Sequence, residues 1–245
     1  MSVAWPDGPQ PVTNQPPALS TKALPLDWVD PWLERAAAGG RWRKRALDLV
    51  GALLLLAVFA VPMLILGMLV RLTSRGPVLY RQIRLGAGER SFTLLKFRTM
   101  SKDSPEDIHR EYVLAQLTSA DLAPGENGLF KLANDPRVTP LGRVLRRTSL
   151  DELPQLLNVV RGQMSLVGPR PALPWEAELF PPECRARFLV RPGITGLWQT
   201  SGRSRLTMRQ ALELDVAYVG GWTLRRDLLI LLRTVPAVLR CSDAR

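Results

Sequence analysis

From Leu49 to Val70 the chain reads LVGALLLLAVFAVPMLILGMLV, 22 residues without a charge. At 1.5 Å per residue a straight helix over this run covers roughly 33 Å, enough to cross the hydrocarbon core of a bilayer. A core helix buried in a soluble protein is the bland alternative, and the length of the run weighs against it. Both flanks are basic: RWRKR from Arg41 to Arg45 and RLTSR from Arg71 to Arg75. A spanning helix shows an asymmetric flank under the positive-inside rule, whereas here the rule points both ends to the cytoplasm. Pro62 lies near the centre of the run, where it removes a backbone hydrogen bond and favours a kink. The segment 41–75 is therefore expected to be a re-entrant helix-break-helix, with Pro62 as the membrane break. Because proline also occurs in spanning helices, a spanning arrangement remains the alternative.

Two further stretches have interfacial character. Asp30-Pro31 forms an N-cap and first-turn pair that opens DPWLERAAA, and Gly39-Gly40 closes it. Trp28, Trp32 and Trp42 suit the headgroup layer. Near the end, WTLRRDLLILLRTVPAVLR sets Leu224, Leu228, Leu231, Val235 and Val238 along one face, with Arg225, Arg226 and Arg233 placed to reach headgroups. A basic helix lying on the membrane fits this pattern, and a helix packed on the protein's own core fits it equally.

The first 25 residues hold six of the 21 prolines, show no apolar period and are expected to be disordered. They lack a basic region followed by an apolar one, so they do not read as a secretory signal. Net charge is +11, from 33 Lys+Arg against 22 Asp+Glu, which calls for an anionic partner. Arginine outnumbers lysine heavily, leaning toward planar recognition of phosphate. With two cysteines and one histidine, a structural zinc site or a histidine-based triad is out of reach. The soluble part is expected in the cytosol.

Beyond Arg75, PVLYRQIRLGAGERSFTLLKFRTM reads as a β-hairpin turning at GAGER. Period 2 puts Lys96 and Arg98 on one face of its second strand and Leu95 and Phe97 on the other. Two cations on one face form a candidate phosphate grip; exposed cations that blunt a strand edge are the plainer reading. The expected fold is α+β and helix-dominated: a lead over 1–40 with a short interfacial helix, the re-entrant helix over 41–75, and a catalytic domain over 76–245 that contains the hairpin and ends in an amphipathic helix. The whole would be monotopic.

Within that domain, TSLDELPQ sets Asp151 and Glu152 among Arg143, Arg146, Arg147, Arg161 and Arg170. Ser149 with Glu152 three residues on matches a capping box, and acids in a first turn suit the helix dipole, so a plain helix start accounts for the tetrapeptide. The functional reading rests on the surroundings. A carboxylate can attack phosphorus and form a covalent intermediate, provided cations offset the charge of the diphosphate. Magnesium needs carboxylate oxygens for the same task. Asp151 and Glu152 are the candidate nucleophile and metal ligands; Lys96, Arg98, Arg170 and Arg191 are the candidate phosphate clamps. Gly168-Pro169-Arg170-Pro171 and Arg191-Pro192-Gly193 each mount an arginine on a stiff loop, which reduces the entropy lost on gripping a ligand.

KRALDLVGALLLL, RLTSRGPVLYRQIRLG, FTLLKFRTM, DPRVTPLGRVLRRTSLDELPQLLNVVRGQMSLVGPRP and VRPGITGLWQTSGRS together resemble the bacterial sugar transferases, the monotopic phosphoglycosyl transferases that act on polyprenyl phosphate. The likeness covers roughly residues 41–240. It implies transfer of a sugar-1-phosphate from a UDP-sugar to undecaprenyl phosphate, with UMP released, as a first membrane step of exopolysaccharide, capsule or O-antigen synthesis. It implies a covalent phosphosugar on Asp151, assistance from Glu152 and a requirement for Mg²⁺. Lys96, Arg98, Arg170, Arg191 and Asp215 take the places of the family's cations and acid. The family's re-entrant helix breaks at a proline that many members precede with serine; here Val61 stands there. Larger members carry several spanning helices and an extra domain, and by comparison this chain looks like the catalytic module with a short lead. The bacterial inner membrane, on its cytoplasmic face, is the expected location, with membrane lipid as a partner and a homodimer as an allowed assembly.

Three rivals differ in what they expect. A membrane-surface adaptor that binds anionic lipid or a partner would keep its activity in Asp151→Asn. A nucleic-acid binder would show salt-sensitive affinity without detergent, and the long apolar run speaks against nucleic acid as a partner. A direct ternary-complex transferase would not exchange labelled UMP into the donor in the absence of lipid.

Overall fold

The computed structural model describes residues 40–100, 137–201 and 206–239. The Pro-rich lead, the helix expected after Asp30 with Trp28 and Trp32, and the segment 101–135 lie outside these residues.

The apolar run forms the middle of α1, Arg41–Thr73, which passes through Pro62 as one continuous helix. The break expected there does not interrupt the element. Among the described residues α1 is the one helix long and apolar enough to cross a membrane. One stripe of it faces protein. Asp48, Ala52 and Val70 are buried, Leu56 packs on one core cluster, and Met63 and Leu66 pack on another. These positions recur at helical spacing. The rest of the surface is exposed and apolar, with Val58, Leu64 and Leu72 each more than two-thirds exposed.

The foot of α1 is fastened by buried polar contacts. Lys44 Nζ donates to Asp227 Oδ2 (2.7 Å) and to the Val167 carbonyl (2.8 Å). Asp48 Oδ1 accepts from Ser165 Oγ (2.8 Å) and the Leu166 amide (2.9 Å). Asp227 also accepts from Tyr218 Oη (2.7 Å) and Trp222 Nε1 (3.0 Å). Charges buried this deeply persist only when paired and hydrogen-bonded in this way.

After α1 comes the expected hairpin, β1 (Leu79–Leu85) antiparallel to β2 (Ser91–Phe97), joined by a 3-10 turn at Ala87–Glu89. Gly88 (φ 63°) and Glu89 (φ 57°) both take positive φ in that turn, which glycine adopts without steric cost. β2 is buried on both faces: Phe92 and Leu94 enter one core cluster, and on the other face Leu95 is buried and Phe97 enters a second cluster. Helix α2 (Pro140–Thr148) starts at Thr139, whose Oγ1 accepts from the Gly142 amide (2.9 Å), and stops where Ser149 turns left-handed (φ 57°). A 3-10 turn, Leu150–Glu152, leads into α3, Gln155–Val160.

β3 (Ser165–Val167) and β4 (Gly193–Thr195) pair in parallel. Between them lie α4 (Pro174–Glu178) and a 3-10 stretch, Pro182–Leu189. Then follow α5 (Leu197–Ser201), α6 (Met208–Gly220) and α7 (Leu224–Leu239). The described residues are thus helix-rich, with two small two-stranded sheets among them.

Helix α7 has two apolar faces rather than one. Asp227 and Ile230 are buried and Leu231 packs against the core, while Leu224, Leu228, Leu229, Leu232 and Val235 are exposed. Leu231 therefore parts from Leu224, Leu228 and Val235, a correction to the single face read from sequence. The Val238 side chain lies outside the description.

Candidate active site

The acidic pair sits on the 3-10 turn between α2 and α3, with β2 against it. Asp151 is buried and Glu152 half-buried. Ser149 makes no side-chain capping bond, so the capping box that the sequence allows does not form. The Glu152 carboxylate points instead to β2, where Lys96 Nζ donates to its Oε1 at 2.9 Å. Asn158 braces this arrangement: its Oδ1 accepts from the Leu95 amide (3.1 Å) and its Nδ2 donates to the Thr93 carbonyl (2.7 Å).

The two proline-bounded arginine loops lie side by side. The Gly193 amide donates to Pro169 O (2.8 Å) and the Gly168 amide to Thr195 O (2.9 Å). A side chain at Gly168 would meet the Arg191 carbonyl at 2.5 Å, so glycine is what allows this approach. Arg170 lies within electrostatic reach of Glu152, Glu176, Arg187 and Asp215. Burial pulls its guanidinium below the ordinary arginine value, and Glu176 and Glu152 oppose that pull.

Asp215, on α6, is fully buried and accepts from Arg187 Nη2 at 2.6 Å. Burial pushes its carboxyl up to about 6, against the pull of Arg187 and of a backbone bond from Arg170. Arg187 Nη2 also donates to the Arg170 carbonyl (2.7 Å), so the pair holds the Arg170 loop from beneath.

Not every sequence candidate joins this cluster. Arg98 is buried and turned away: its guanidinium donates to the carbonyls of Pro77 and Ser74 and to Ser74 Oγ, at the far end of α1. The shared strand face expected for Lys96 and Arg98 is therefore not a joint grip, because Arg98 lies past the end of β2 and serves the loop behind it. Arg191 is exposed at the edge of the cluster, and only its backbone packs on the Arg170 loop.

Three contributors were not singled out in the sequence. Arg84, inward-facing on β1, donates to the Pro171 carbonyl (3.0 Å) and lies 3.6 Å from Glu176. Burial, reinforced by Arg170, lowers its guanidinium to about 10, which leaves it charged at neutral pH. Glu176 caps the Leu173 amide (2.8 Å) at the start of α4. Arg187 is the third. The LPWE stretch does carry the sign of a helix start with an acid at its third position, which could have exposed Glu176. Nothing local marks Arg84 or Arg187.

A family model described as "Bacterial sugar transferase" matches residues 39–241. The chain belongs to the bacterial sugar transferase family. Its relatives include the exopolysaccharide production protein ExoY of Rhizobium meliloti (strain 1021), 41% identical over 199 residues, which are 81% of this chain and 86% of that protein. The UDP-glucose:undecaprenyl-phosphate glucose-1-phosphate transferase of Caulobacter vibrioides is 44% identical over 212 residues, 82% of this chain and 72% of the relative. The undecaprenyl-phosphate galactose phosphotransferase of Salmonella typhimurium (strain LT2) is 41% identical over 211 residues, 85% of this chain but 43% of that longer protein.

As a bacterial sugar transferase, the chain brings together the chemistry its family name calls for. Three carboxylates (Glu152, Glu176, Asp215) and four cations (Arg84, Lys96, Arg170, Arg187) form one array, most of them fixed by ion pairs or backbone bonds, with Asp151 beside Glu152 on its turn. Preset charges of this kind stabilise developing negative charge without reorganising during reaction. Among the described residues no group of three acids, histidines or cysteines converges as a complete metal cage. Two adjacent carboxylates still fit magnesium, which commonly takes one or two carboxylates plus the phosphates of its substrate.

Proposed function

We propose that this protein transfers a sugar-1-phosphate from a UDP-sugar to undecaprenyl phosphate, with UMP released, at the start of bacterial polysaccharide assembly. The observation that carries this reading is the Asp151-Glu152 turn set against Lys96, beside the Arg170 loop, in a chain of this family. Of the named relatives, the Caulobacter vibrioides protein is a UDP-glucose:undecaprenyl-phosphate glucose-1-phosphate transferase and the Salmonella typhimurium protein an undecaprenyl-phosphate galactose phosphotransferase.

In the first half-reaction an Asp151 carboxylate oxygen attacks the phosphorus that bears the sugar. The bond from that phosphorus to the bridging oxygen breaks, and UMP leaves with the oxygen. In the second, a phosphate oxygen of undecaprenyl phosphate attacks the same phosphorus and displaces the Asp151 carboxylate, giving undecaprenyl-diphosphate-sugar. Lys96 orients Glu152, and Arg170 offsets phosphate charge from its stiff loop. Asp151 and Glu152 would hold Mg²⁺, which would neutralise charge on the diphosphate.

The protein acts from the cytoplasmic face of the inner membrane, with α1 re-entrant. Support comes from the stripe Asp48 to Val70, which stays on the protein along roughly 33 Å of helix, whereas a spanning helix would leave its domain within a turn or two. The basic flanks and the exposed leucines of α7 suit the same surface.

The experiment is to incubate membranes containing the protein with a panel of UDP-sugars, Mg²⁺ and undecaprenyl phosphate, and to measure UMP. Release with at least one sugar, abolished by Asp151→Asn and by EDTA, is expected. Full release in either control contradicts the mechanism.

A further inference from the structure

Arg98 holds the far end of α1. Its Nη2 donates to the Ser74 carbonyl (2.7 Å), to Ser74 Oγ (2.8 Å) and more distantly to the Val70 carbonyl (3.4 Å), while Nη1 bonds the Pro77 carbonyl. The last carbonyls of a helix have no partner within it, and here a guanidinium fork supplies one. The loop is shaped around that fork. Gly76 has φ 123°, and a side chain there would meet Arg98 Nη1 at 2.5 Å.

At the near end the direction reverses. Arg45, on α1, donates to the carbonyls of Val159 (2.6 Å) and Val160 (2.8 Å) in the last turn of α3. Helix α1 is thus tied at one end to the helix that follows Asp151-Glu152 and at the other to the strand that carries Lys96. The Lys96–Glu152 contact closes the ring. Leu153, next to the acidic pair, packs against both core clusters beneath the two halves of α1.

We propose that Arg98 is a positioning residue: by fastening the end of α1 to β2 it sets the placement of Lys96 against the acidic pair, so that the seated membrane helix and the reacting groups form one mechanical unit. Arg98 touches no substrate in this arrangement. The inference rests on the phosphoglycosyl transfer proposed above.

The test is steady-state UMP release in lipid nanodiscs at fixed undecaprenyl phosphate, with the UDP-sugar that the wild type uses as the varied substrate. Arg98→Lys keeps the charge but loses the fork; Ser74→Ala removes one acceptor and lies outside the acidic cluster. For Arg98→Lys, kcat is expected to fall about 10- to 100-fold with KM for the UDP-sugar unchanged, since a misplacement of about 1 Å costs on that scale. Ser74→Ala is expected to lower kcat less, again at constant KM. A rise in KM that carries the loss, with kcat retained, identifies Arg98 as a phosphate contact and overturns the proposal, as do wild-type parameters in both variants. If Arg98→Lys fails to fold, Ser74→Ala decides: an unchanged kcat overturns the inference. A wild type that releases no UMP counts against the transferase reading instead.

Discussion

Two ion pairs in the cluster have the same chemistry and different consequences. Lys96 and Glu152 keep about a quarter of their side-chain surface in solvent, 24% and 28%, so their pairing contributes under about 1 kcal/mol to folding. Its importance lies in where it holds Glu152. Arg187 and Asp215 are 4% and 3% exposed, and removing one partner there costs on the order of 3–5 kcal/mol. The Asp215 carboxyl is also raised, from an ordinary 3.8 to about 6, chiefly by burial. A carboxyl raised in this way contributes stability that is present in full below its unfolded value and is lost as pH rises through the folded one. Asp215→Asn lacks this slope. Its melting temperature relative to wild type should therefore be lowest near pH 4 and improve toward pH 7 in thermal melts; a difference independent of pH contradicts the assignment. The sequence made Asp151, Glu152 and Lys96 legible because each stood in a local pattern. It did not reveal Arg84 and Arg187, whose partners Glu176 and Asp215 lie far along the chain.

The elements follow the same division. The hairpin was readable from its turn glycines and β-favouring flanks, and α1 from its apolar run. The capping box at Ser149 was readable too, but it does not form: Ser149 turns left-handed to end α2, unlike the extended backbone of an N-cap, and Lys96 takes the Glu152 carboxylate. Arg98 was misjudged for a related reason: period 2 gives the face of a strand residue but not its fate once the strand has ended. In α7, the core-packing role holds for one face, and the opposite face is exposed and apolar. The re-entrant placement of α1 can be tested by its ends. Cysteines introduced by Arg41→Cys and Arg75→Cys should both be labelled by an impermeant maleimide only after the cytoplasmic side is exposed. Labelling of one from the outside would establish a spanning helix.

At the scale of the molecule, the Asp151-Glu152 pair in a chain of charge +11 has a physical setting. It sits on a turn whose following helix is tied to one end of α1 and whose neighbouring strand is tied to the other, with arginines held by buried carboxylates and backbone carbonyls beside it. A diphosphate placed there would find cations already fixed, and the second substrate, a lipid phosphate, would arrive from the surface on which α1 rests. The most direct measurement is to incubate the purified protein with its UDP-sugar and Mg²⁺ in the absence of undecaprenyl phosphate, quench it, and determine the mass of the peptide containing residue 151. A phosphosugar increment on Asp151, discharged on adding undecaprenyl phosphate and missing in Asp151→Asn, is expected. An active enzyme whose peptide never carries that increment would contradict covalent transfer through Asp151.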